Sequence, residues 1–70
     1  MKAALHRCML NIDKSNPRAV TRSTSALIKA ANEWGFYPSP EQACKCIDMA
    51  DDKMRMVDAL EVLWFVMSHS

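Results

Sequence analysis

The sequence predicts a small all-α domain, a bundle of three to four helices formed by one unit spanning residues 1–70. Apolar residues recur at three- and four-residue spacing through most of the chain, the period of helices with a buried face. Helix-breaking residues cluster in two places, Asn16-Pro17 and Gly35 to Pro40. Half the residues are apolar and only one is glycine, which excludes a disordered composition.

The first segment has Leu5, Cys8, Met9 and Ile12 at helical spacing. Ala4, His6, Cys8, Leu10 and Ile12 also alternate as a strand would. No second strand-like segment is present to pair with, and a lone strand is not stable. The reading is therefore a short helix.

Asn16 followed by Pro17 has the form of an N-cap and a first helical residue. Gly35 fits the end of the same helix. Between them Val20, Thr24, Leu27, Ala31 and Trp34 share one face, and Arg18, Arg22, Ser25 and Lys29 share the opposite one. Thr21 to Ser25 is rich in hydroxyl and β-branched residues, which favour a helix less than alanine does. A later start near Ser23 is the alternative.

Pro38-Ser39-Pro40 stops one helix and prepares the next. Ser39 and Gln42 form an S-x-x-Q capping box, so a helix is predicted from Pro40 to about Ala50, with Ala43, Ile47 and Ala50 inward. Continued unbroken, that stripe meets Met54, Val57 and then Glu61. The apolar stripe of the last segment, Met56, Val57, Leu60, Leu63, Trp64 and Met67, lies roughly 100° away on the same wheel. A restart at Asp51-Asp52 explains the slip, because aspartate suits an N-cap and a first turn. One long helix that changes packing partner is the alternative. The bundle is expected to pack on Trp34, Ile47, Leu60 and Trp64.

The last segment carries the strongest functional signal. Seven of the eight residues from Leu60 to Met67 are apolar, so Val62, Phe65 and Val66 fall outside the main stripe. A helix apolar nearly all round needs cover nearly all round, and a chain this short has little mass to supply it. A second molecule is the expected cover. Met56, Leu60, Val62, Leu63, Phe65 and Val66 are the candidate protein-interface residues. A homodimer is expected, since a core this small rarely supplies more than about 3–5 kcal/mol on its own.

The charge is divided. Residues 1–35 carry six basic and two acidic residues, net +4, and residues 36–70 carry three basic and six acidic, net −3. Arg18, Arg22 and Lys29 form the candidate nucleic-acid or anion-binding face, because phosphate recognition needs clustered cations. Three cations are few, and the following helix presents Glu41 and Asp48 against Lys45, which opposes a helix-turn-helix mode on phosphate.

Catalysis and metal binding lack a pattern. Cys44 and Cys46 point about 200° apart on a helix and miss the spacing of a zinc site. His6 and Cys8 stand two apart and do not face each other on a helix. No glycine-rich phosphate loop is present. No cofactor is expected, and the protein is not expected to be an enzyme. Three cysteines, an odd number, fit a reducing compartment. The longest apolar run, Val62 to Met67, is far short of the roughly 20 residues of a membrane span. No signal-peptide core stands near the N-terminus, so a cytoplasmic location is expected.

The leading functional expectation is a small module that binds another protein as inhibitor, adaptor or regulator. A free-standing chain of this size without chemistry also suits phages and mobile elements acting on host machinery. The second expectation is a nucleic-acid-binding regulator using the basic face.

Overall fold

In the computed structural model, which describes residues 4–69, the chain forms a single 3₁₀ turn, η1 (Leu5–Cys8), followed by three α-helices. These are α1 (Pro17–Glu33), α2 (Pro40–Met49) and α3 (Met56–Ser68). Helix α1 packs on α2 and on η1, and α3 also packs on α2 and on η1. The 3₁₀ turn and α2 thus lie between the first and last helices and join them. The radius of gyration is 10.7 Å, close to the ~11 Å of a compact domain of this length.

The first segment is helical but shorter than a helix. Only four residues take the 3₁₀ form, and Asn11 then turns the chain with a positive φ of 55°. Asparagine tolerates this left-handed conformation better than most residues. The turn buries Leu5 and Met9 completely or nearly so, and Cys8, Leu10 and Ile12 pack partly against the same core.

Helix α1 starts at Pro17, not late. Asn16 accepts a hydrogen bond from the Arg18 backbone N–H at 3.1 Å, and Pro17 occupies the first turn, where its missing N–H is no loss. The hydroxyl-rich stretch does not interrupt the helix. Thr21 and Thr24 donate their hydroxyls back to the carbonyls of Pro17 (2.9 Å) and Val20 (2.8 Å). Their polar atoms are satisfied within the helix and do not compete with it. The helix ends at Glu33 in a Schellman arrangement. Gly35, with φ of +86°, donates to Asn32 O, and Phe36 donates to Ala31 O at 3.0 Å.

Helix α2 begins with the capping box that the sequence predicts. Ser39 Oγ accepts from the Gln42 N–H at 3.2 Å, and Gln42 Oε1 accepts from the Ser39 N–H at 2.8 Å. Two donors that would otherwise lack partners are satisfied reciprocally. The helix buries Ala43, Cys46 and Ile47.

The chain breaks between α2 and α3, so residues 40–68 are two helices. The aspartates act differently from the expected N-cap. Asp51 builds a turn, accepting the Lys53 N–H on Oδ1 at 3.1 Å and the Met54 N–H on its carbonyl at 3.0 Å. That turn drives Met54 into the core. The next helix starts four residues later, with Arg55 as N-cap, whose N–H is accepted by the Asp58 carboxylate at 3.0 Å. The Arg55 Nε lies 3.4 Å from the same oxygen.

The core is made of Leu5, Met9, Leu27, Ala30, Ala31, Ala43, Cys46, Ile47, Met54, Ala59, Leu63 and Val66. Five of these twelve are alanine or cysteine, and small residues allow close approach of the helix backbones. Ile47 is buried as expected, but Trp34 and Leu60 are only partly buried, and Trp64 is 61% exposed. The packing centre therefore differs from the expected one.

Replacing Ser39 with alanine should destabilise the fold by about 1 kcal/mol, because it removes the acceptor for a helix-terminal N–H. Ser68→Ala, at the exposed end of α3, should change urea stability by no more than a few tenths of that. Similar shifts for both variants would contradict the capping account.

Candidate functional site

The apolar excess of α3 is divided between two faces by how the helix is rotated. Ala59, Leu63 and Val66 point into the core. Met56, Leu60, Val62 and Met67 flank them, partly buried. Val57, Trp64 and Phe65 are exposed. The buried stripe lies roughly 90° from the one inferred from bulk, at 100° per residue. The physical reason is the core's demand for Ala59. A small side chain lets α3 approach its neighbours closely, and this places the indole of Trp64 outside.

Of the six candidate interface residues, Leu63 and Val66 are thus core residues and unavailable to a partner. Met56, Leu60 and Val62 offer only their partly exposed edges. Phe65 stays at the surface, 46% exposed. Trp64 and Val57, assigned above to the inner stripe, belong to the outer face instead. Met49, the last residue of α2, lies off that helix's buried stripe and is exposed beside this face, where its flexible thioether suits a binding surface.

These residues form a groove. An open hollow of about 560 Å³ is lined by Met49 from α2 and by Asp58, Glu61, Val62, Trp64 and Phe65 from α3. On a helix Asp58, Glu61, Val62 and Phe65 follow one another at i, i+3, i+4 and i+7, so they form one strip. Glu61 stands one turn before both Trp64 and Phe65. The Phe65 ring is stacked on His69, with centroids 4.3 Å apart and planes at 25°. His69 Nδ1 also lies 2.9 Å from the Phe65 carbonyl oxygen. The aromatic edge of the groove is therefore backed by a second ring.

The groove carries two carboxylates and no cation. Asp58 is held below the usual carboxylate range, chiefly by the hydrogen bond from the Arg55 backbone N–H. A lowered carboxylate stabilises the fold above the usual carboxylate pKa, and that contribution is lost as pH falls through the folded value. The Glu61 side chain makes no hydrogen bond or ion pair among the described residues.

The basic face is where the sequence places it. Arg18, Arg22 and Lys29 are all exposed on α1. A shallow hollow lies beside Pro17, Arg18, Thr21 and Arg22, and Lys29 does not line it. The Thr21 hydroxyl already bonds the Pro17 carbonyl.

Cys46 is fully buried, and burial pushes its thiol up to about 11, while Cys44 on the other side of α2 is partly exposed. Burial also raises the Cys8 thiol. Thiols held in the neutral form are poor nucleophiles. Among the described residues no group of three or more His, Cys, Asp or Glu side chains is placed to hold a metal ion. Among the same residues no helix is long and apolar enough to cross a membrane. No family model, curated protein or solved structure matches the chain.

Changing Arg18, Arg22 and Lys29 together to glutamine should leave urea stability within about 0.5 kcal/mol per site, as expected of exposed side chains. A loss of several kcal/mol would mean that these cations support the fold rather than face solvent.

Proposed function

We propose that this protein acts by binding another protein through the outer face of α3, as an inhibitor, adaptor or regulator, and not by catalysis. The observation that carries the reading is the placing of Met49, Val57, Trp64 and Phe65. Three large apolar side chains left at the surface, Met49, Trp64 and Phe65, line one hollow between α2 and α3, and Val57 lies two turns before Trp64 on the same side of α3. Aromatic residues and methionine are enriched at protein interfaces, and aromatic anchors beside partly buried neighbours dominate binding energy. Single exposed apolar residues need no explanation, whereas a contiguous group of this kind marks an interaction site.

Self-association through α3 is the competing use of the same face, since a homodimer there would cover the anchors that a partner needs. The anchors are then Trp64 and Phe65 with Val57 and Met49, since Leu63 and Val66 are already covered. The nucleic-acid reading has less support. Its three cations are spread over one helix face, the hollow beside them holds only two, and the molecule carries a net charge of only +1.

Site-specific photo-crosslinking in the native host separates the two. A crosslinking residue in place of Trp64 should give covalent protein adducts, and one in place of Arg22 should give few. Adducts confined to position 22, or adducts with nucleic acid there, would overturn the proposal.

A further inference from the structure

We infer that the α3 groove recognises an amphipathic helix of a partner protein that carries arginine beside a bulky apolar residue. This inference rests on the docking reading above and gives it a chemistry. The argument is charge complementarity within one short strip. The groove floor and walls are apolar or aromatic, and its two charged members, Asp58 and Glu61, are both acidic. An apolar partner alone would desolvate these carboxylates without replacing the lost water, which is unfavourable. An acidic partner would add repulsion. A cationic partner compensates both.

Glu61 is the more available of the two. Asp58 is already engaged by Arg55, but Glu61 has no partner among the described residues. It sits one helical turn before Trp64 and one before Phe65. A cation pairing with Glu61 is therefore beside the exposed indole of Trp64. Arginine suits that position better than lysine. Its planar guanidinium stacks on an aromatic face and can pair with a carboxylate at the same time. From Asp58 to Phe65 the strip is about 10 Å long, two turns of helix. Two turns of a partner helix, with its apolar stripe on Val62 and Met49, match that length and follow the helix-in-groove mode.

The test is a selection from a displayed library of 14-residue helices. The apolar stripe is fixed and the other positions are randomised, and sedimentation equilibrium of the folded chain alone runs beside the selection. The folded chain and its Glu61→Gln and Trp64→Ala variants serve as targets. Both changes lie at the surface, and circular dichroism checks that each variant keeps its helices. Peptides selected on the parent chain should carry arginine one turn from a bulky apolar residue. They should bind Glu61→Gln about fivefold or more weaker, the loss expected for one cation site worth about 1 kcal/mol. Selection on Glu61→Gln should lose the arginine preference while keeping apolar binders. Trp64→Ala should lose both. Neutral or acidic binders that still need Trp64 would overturn the cation chemistry and leave the docking face standing. Binders indifferent to Trp64→Ala, or no binders, would overturn the docking face as well. A dimer of the folded parent chain in sedimentation equilibrium, abolished by Trp64→Ala, would make the occupant a second copy of this chain and overturn the separate partner.

Discussion

The structure depends on the 3₁₀ turn at Leu5–Cys8. It is the element through which α1 and α3 are joined on one side, as α2 joins them on the other. Leu5 is wholly buried and Met9 nearly so. A four-residue turn has almost no helical stability of its own, since nucleating a helix fixes several residues for one hydrogen bond. It is held by what its side chains bury. In return it supplies apolar cover that three helices of 17, 10 and 13 residues would otherwise lack.

That cover decides how much of α3 is left outside. With Ala59, Leu63 and Val66 turned inward, the helix satisfies one apolar face within the chain. The remainder, Trp64, Phe65 and Val57, cannot follow them inward without rotating Ala59 and Val66 out. The outer aromatic face is thus a geometric consequence of close packing at an alanine. It gains function only if a second molecule covers it. On the reading proposed above, the acidic residues within the strip bias the kind of partner that can cover it.

The helix boundaries were legible because they rest on local chemistry. Asn16-Pro17, Gly35 and Ser39 with Gln42 each act through backbone hydrogen bonds within a few residues, and the structure shows each of them. The phase of the stripes fitted either a break after α2 or one long helix that changes packing partner, so neither the break nor its cause was settled by pattern. Asp51 was expected as a cap and instead forms a turn, because Arg55 and Asp58 cap the helix four residues later. The rotation of α3 was not legible. Periodicity weighs side chains by hydrophobic size, whereas packing here selects Ala59 for closeness. On a helix apolar nearly all round, Asp58 and Glu61 mark the outer side only coarsely, since the side opposite them falls between the stripe inferred from bulk and the buried one. Arg18, Arg22 and Lys29 were easier, since the opposite face of α1 carries Leu27 and Ala31, both buried. Met49 became part of the groove only through the chain reversal after α2, which no local pattern encodes.

The most direct test of this account is the urea stability of Leu5→Ala. If Leu5 closes the core between α1 and α3, the variant should lose about 2–5 kcal/mol, the cost of removing a buried leucine side chain, or be unfolded before denaturant is added. A variant melting within about 0.5 kcal/mol of the parent, as expected of a surface position, would contradict it.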